Sequence, residues 1–257
     1  MAGDIKQPKN QIMKQVVYVN LMLLLASLVP VIYSNAQTSY QQFYLKRENF
    51  ITNLSLLKIE FGNKKIIPAE IQLECLTALS FYPELKNTDI EFGFGNLNFT
   101  MISKPKLKSI LKEREHRQYV IVIQRPGPSQ NNVEWNELTF NAMVGWIGHE
   151  LGHILHYSHK SSGGVLFIGM KYALPGYRRK MERFTDQLTI QHNLGYALYE
   201  GVDYTINSSH ATEHYENNQE KFYLHPEEIL ARIYSKESWS TIFRKTKIEA
   251  ILNSINH

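Results

Sequence analysis

The sequence predicts an α+β domain, mostly helical, with a small twisted sheet flanking one central helix. Three observations predict it. Ile90, Phe92 and Phe94 alternate with Glu91 and Gly93, and Tyr119-Val120-Ile121-Val122-Ile123 follows as a largely β-branched run, so two strand patterns are present. Apolar residues recur at helical spacing in longer stretches, most clearly between Pro68 and Tyr82 and between Asn136 and Tyr157. The chain has 257 residues, 43% hydrophobic and 20% charged, which is ordinary globular composition and enough for one sizeable core.

At the N-terminus, Lys6, Lys9 and Lys14 precede an apolar run from Val16 to Ala26, and Ser34-Asn35-Ala36 supplies small residues before Gln37. This is the pattern of a secretory signal peptide over residues 1–36. Asn20, Ser27 and Pro30 interrupt the run, which falls short of the ~20 mostly apolar residues that span a membrane comfortably. Membrane contact is expected only through this segment, were it retained. Residues 37–257 then form a single exported domain. Its one cysteine, Cys75, forbids an intramolecular disulfide, and an exported chain without disulfides suits a bacterium, either in the periplasm or secreted. The net charge of +4 falls by two without residues 1–36, and no basic stripe carries interleaved aromatics, so nucleic acid is not an expected partner.

Residues 37–65 are polar and aromatic without a clean period, and Phe50, Leu54 and Leu57 suit a short helix; the stretch reads as an N-terminal part of the domain or a propeptide. A helix opens at Pro68, turns Ile71, Cys75, Ala78, Leu79 and Tyr82 inward, and stops at Pro83. Between the two strands, Thr100 to Lys108 reads as loop. Arg125-Pro126-Gly127-Pro128 ends the second strand, and a polar link from Ser129 to Asn132 leads into a helix over Asn136–Tyr157 with Leu138, Met143, Ile147, Leu151 and Ile154 on its apolar stripe. In that order the strand edge nearest the cleft can pair with an extended chain. Gly145, Gly148 and Gly152 are each costly inside a helix, by ~1 kcal/mol against Ala, unless another element packs close. Their spacing makes one groove for it. Ser161-Ser162-Gly163-Gly164 ends the helical region. Further on, a helix through Leu188 and Ile190 ends near Gly195, Tyr196–Tyr204 is helical, and Ser208 to Glu220 is polar loop. Pro226 opens another helix and Ser240–Asn253 forms the last.

The central helix carries His149-Glu150-Leu151-Gly152-His153. Residues i and i+4 lie on one helical face with Cβ atoms ~5–6 Å apart, so both histidines can reach one ion with Glu150 beside it. This is the H-E-x-x-H zinc pattern. A catalytic zinc site needs a third protein ligand and an open position. Two candidates compete. His159 sits where a metzincin places its third histidine, but that pattern uses Gly at the chain reversal, where this chain has His156. Glu182 is the other: with Asp186 it forms an i, i+4 pair in which Glu182 completes the site and Asp186 accepts the free ring N–H of a ligand histidine.

HELGH followed by Glu182-x-x-x-Asp186 resembles the gluzincin group of zinc metallopeptidases, which includes thermolysin and the minigluzincins; the likeness covers Tyr119 to about Leu194. It implies a zincin-like fold, one zinc ion held by His149, His153 and Glu182, Glu150 as general base, Asp186 as the brace behind a ligand, and a protein or peptide substrate. It also implies a later Tyr or His that stabilises the oxyanion. Tyr223 is the first candidate, with His214, Tyr215 and His225 behind it. The competing expectation is a non-catalytic exported zinc module that binds a protein or glycan, against which an intact Glu150 argues, because a structural site needs no base.

Overall fold

The computed structural model describes residues 44–125, 133–207 and 212–236. All but Tyr44 belong to the unit Leu45–His257. The expected leader, the Ser129–Asn132 link and the Ser240–Asn253 helix lie outside the described residues.

Two short helices, α1 (Arg47–Ile51) and α2 (Leu54–Phe61), come first; Leu45, Leu54 and Leu57 pack on the core and Phe61 belongs to it. Strand β1 (Lys65–Ile66) leads through a 3₁₀ turn into α3 (Gln72–Ser80). As the spacing requires, Ile71, Cys75, Ala78, Leu79 and Tyr82 are all buried. Strands β2 (Asp89–Gly95), β3 (Met101–Pro105) and β4 (Gln118–Gln124) complete a four-stranded sheet of order β1-β2-β4-β3. It is mixed: β1 and β4 run parallel to β2, and β3 runs antiparallel to β4.

Strand β3 overturns the expected loop at Thr100–Lys108. Met101 and Ser103 turn inward while Lys104 is exposed, but a serine at an inward position and Pro105 at the end hide the alternation from a pattern read on apolar residues. The sheet edge moves as well: β4 is flanked on both sides, and β3 is the edge strand opposite β1.

Helix α4 (Phe140–Ser158) begins later than expected, because Trp135–Glu137 is a separate 3₁₀ turn and Thr139 caps the helix by accepting from the Ala142 amide at 3.1 Å. It is buried almost all round, as befits a central helix. Each large apolar side chain it buries fully, such as Ile147 and Leu151, contributes about 1.5–3 kcal/mol. Two further expectations fail nearby. Ser161 does not end the helical region but caps α5 (Ser162–Tyr172), accepting from Gly164 N at 3.1 Å. The expected loop at Ser208–Glu220 is overtaken from Glu213 by α8 (Glu213–Phe222), whose inward positions Tyr215, Gln219 and Phe222 include a glutamine that breaks the apolar period.

Between them run α6 (Pro175–Gln191) and α7 (Gly195–Asn207). Gly195 is thus the first residue of α7, not the cap of α6, which ends at Gln191 with Asn193 in the left-handed region at φ 64°. Both helices fill the groove the α4 glycines make. A Cβ at Gly145 would stand 2.3 Å from the Ala197 carbonyl carbon, and one at Gly152 would stand 3.0 Å from Thr185 Cγ2. From Pro226 to the last described residue, Lys236, the chain is helical, as expected. Among the described residues no helix is long and apolar enough to cross a membrane.

Candidate metal centre

Helix α4 supplies His149, Glu150 and His153, and α6 crosses it with Glu182 facing both rings. His149 Nε2 and His153 Nε2 each lie 3.1 Å from Glu182 Oε2. The three side chains are buried, and their nearest ligand-type atoms fall within 4.8 Å of one another. Of the two candidates for a third ligand, the structure therefore brings Glu182 to the histidines. His159 is exposed at the end of α4 and lies outside the cluster. His156 is set apart too, with its ring against Phe184 and its pKa pushed down to about 4 by burial and the nearby Lys160.

The outer nitrogens of both rings are occupied. Asp186, one turn beyond Glu182, takes the N–H of His149 Nδ1 at 2.8 Å. Behind His153, the Thr185 hydroxyl donates to Met181 O at 3.0 Å, so its oxygen accepts from His153 Nδ1–H at 3.2 Å. With Nδ1 protonated on each ring, both Nε2 lone pairs face Glu182. Two imidazole nitrogens and one carboxylate oxygen converging on one point fit a metal cation.

Burial opposes the ionised form of Glu182, but His153 and His149 outweigh it and hold the carboxyl well below the usual range. Burial likewise opposes the charged form of His149; its bonds to Asp186 and Glu182 overcome this and raise its pKa well above the ordinary value. A metal cation would take the place of that proton, since both compete for one lone pair.

Two supports were not foreseen. Thr185 is one, and the other is Tyr172 at the end of α5, whose hydroxyl donates to Glu182 Oε1 and leaves Oε2 to the histidines. Thr185 carried a signal: Glu182, Thr185, Asp186 and Thr189 recur at spacings of three and four, a polar stripe on an inward face. Tyr172 carried none, since its role depends on where α5 ends relative to α6.

Tyr223 stands beside the cluster, its ring centroid 5.5 Å from that of His149. The segment that carries it is clamped to α6 from both sides: Asp186 Oδ2 accepts from Leu224 N at 2.8 Å, and Arg183 donates to Tyr223 O at 2.9 Å. Tyr215 is buried with its hydroxyl 2.7 Å from Thr100 Oγ1. His225 bears on neither of the cavities beside the cluster, and the side chain of His214 lies outside the described residues.

Glu150 lines a cavity of about 960 Å³. Its lining includes Met101–Pro105 and the turn after it, residues of α5 between Val165 and Tyr172, and His153, Glu182 and Tyr223. The walls are mostly apolar. The Gln124 amide bonds Thr100 O at 2.9 Å and the Lys106 amide bonds Gln118 O at 2.8 Å, so even-numbered residues of β3 turn their backbone groups to β4. Those of Met101 and Ser103, and the carbonyl of Pro105, therefore face away from β4, along an edge with no strand beside it among the described residues.

No protein-family model, curated protein or solved structure matches this chain, so its function must be read from the site itself.

Proposed function

We propose that this chain is a zinc-dependent metallopeptidase of the gluzincin kind, exported through its N-terminal leader and acting on an extended protein or peptide. The observation that carries the reading is the buried His149–His153–Glu182 cluster, with Glu150, His153 and Glu182 lining a large, mostly apolar cavity. Two imidazoles and one carboxylate suit zinc, and three protein ligands leave a fourth position for substrate or water.

When bound, zinc supplies Lewis acidity that polarises a carbonyl and lowers the pKa of a nearby water towards ~7. Glu150 takes the proton from that water as it adds to the carbonyl carbon and later delivers it to the departing amine. Free backbone groups of Met101 and Ser103 pair with an extended substrate as an added strand, while Pro105, lacking an N–H, offers only its carbonyl. Tyr172 and Tyr223 both have pKa values raised, first by burial and then by Glu182, so both hydroxyls keep their protons and remain donors.

The test is Glu150→Gln in zinc-loaded protein against a broad peptide library. Turnover should fall by about 10²–10⁴-fold with one zinc still bound per chain. Undiminished cleavage would remove Glu150 from its role, and wild-type protein inert both before and after chelation would remove the peptidase reading.

A further inference from the structure

Helix α6 carries two arginines that turn toward the 222–228 segment, and they are treated differently. Arg183 has a partner for its charge: its guanidinium donates to Glu228, at 2.9 Å through Nη1, and to Tyr223 O. Arg178, one turn before Glu182 and so on the same face, has no ion pair among the described residues. Its guanidinium stacks over Phe222 at 4.2 Å from the ring centroid, with Phe99 at 5.4 Å and Tyr172 at 5.5 Å. Arg178 and Tyr223 line the same two cavities. The Nε of Arg178 is buried and has no hydrogen-bond partner.

Stacking satisfies the faces of a guanidinium and leaves its in-plane N–H groups in need of acceptors. Arg178 lines the large cavity and also a small one of about 30 Å³, in company with Glu150 and Tyr223 in both. An acceptor arriving at Arg178 therefore arrives beside the base. Tyr223 brings a second donor, its hydroxyl, to the same place.

We infer that Arg178 is a catalytic residue of this site: its guanidinium and the Tyr223 hydroxyl are the donor pair that receives the substrate carbonyl oxygen as water adds and negative charge collects there. This rests on the peptidase reading, and it assigns the oxyanion to an arginine–tyrosine pair in place of a single tyrosine. The pair is held before substrate arrives, Arg178 by its aromatic stack and Tyr223 by the Leu224 and Arg183 bonds, which is what stabilisation of a developing charge requires.

The experiment compares full-length, zinc-loaded wild type, Arg178→Gln and Arg178→Lys, with zinc content and thermal unfolding as controls. The probes are a tetrahedral phosphonate peptide, whose affinity is read by calorimetry, and the matching amide peptide, whose kcat and KM are read separately. Both are C-terminally amidated, so a terminal carboxylate plays no part. Arg178→Gln should weaken phosphonate binding and lower kcat by about 10²–10³-fold with KM within about threefold, and Arg178→Lys should lose about tenfold. Unchanged phosphonate affinity in a zinc-retaining Gln variant, or a loss seen equally in KM, overturns the inference and leaves the peptidase reading standing. Wild type that binds the phosphonate through Arg178 yet cleaves no peptide does the reverse. If the Gln variant fails to hold zinc, the Lys variant decides: about tenfold weaker phosphonate binding supports the pair, and unchanged binding overturns it.

Discussion

The His149 side of the cluster and the His153 side are built on opposite chemistry, although the two rings stand one helical turn apart. Behind His149 is a carboxylate, Asp186, whose second oxygen also fastens Leu224; behind His153 is a neutral hydroxyl, Thr185, tied only to its own helix. A charged acceptor makes the shorter and stronger bond, 2.8 Å against 3.2 Å, and raises the basicity of the ring it holds. The difference teaches that the brace on His149 also serves the rest of the site. Asp186 orients a ligand and fixes Tyr223, whereas Thr185 orients a ligand alone.

The comparison can be broken most completely at Glu182, which both sides share. Glu182→Ala should take zinc content after desalting from one per chain to none, while His159→Ala leaves it unchanged; the opposite result would return the third ligand to His159. Asp186→Asn attacks one side only. It should lower zinc affinity about 10–100-fold in a chelator competition and, through Leu224, lower the unfolding temperature as well. Thr185→Val, which keeps the Cγ2 that packs on Gly152, should cost less than about tenfold in the same competition with little change in unfolding. Equal losses at Asp186 and Thr185 would erase the asymmetry.

The smallest effect is expected at the outermost brace of the His149 side. Its bond with Arg183 pulls the Glu228 carboxyl down from 4.5 to about 2, against a smaller opposing effect of burial. A depressed carboxylate adds stability that is fully present above its unfolded value and lost as pH falls through its folded one. Wild type should therefore lose stability between about pH 4.5 and pH 2 more steeply than Glu228→Gln. The side chain is 38% exposed, so the difference in acid unfolding midpoint should be slight.

What the sequence made legible divides along similar lines. His149, Glu150, His153, Glu182 and Asp186 follow from i, i+4 spacing on two helices, a local rule that holds wherever the helices lie. The inward faces of α3 and α4, strands β2 and β4, and the close packing at Gly145 and Gly152 follow from periodicity in the same way. Strand β3 and helix α8 escaped because Ser103 and Gln219 occupy inward positions, and a pattern scored on apolar residues reads them as interruptions. Helix α5 escaped because Gly163 and Gly164, ordinary stop signals, sit in its first turn behind the Ser161 cap. Tyr172 and the free edge of β3 are products of tertiary placement, and no local pattern encodes them.

The double use of Asp186 also bears on when the site comes into being. The ligands are all on the chain by residue 182, but the brace on His149 has its other half at Leu224, and Tyr223 takes its place through the same bond. During synthesis, a chain that has emerged only as far as α7 holds every metal ligand and lacks the contact that fastens Tyr223 at the centre. On the proposed reading a metal can bind before the domain is complete, and catalysis has to wait for Tyr223. The order in which the chain is made would separate the two events.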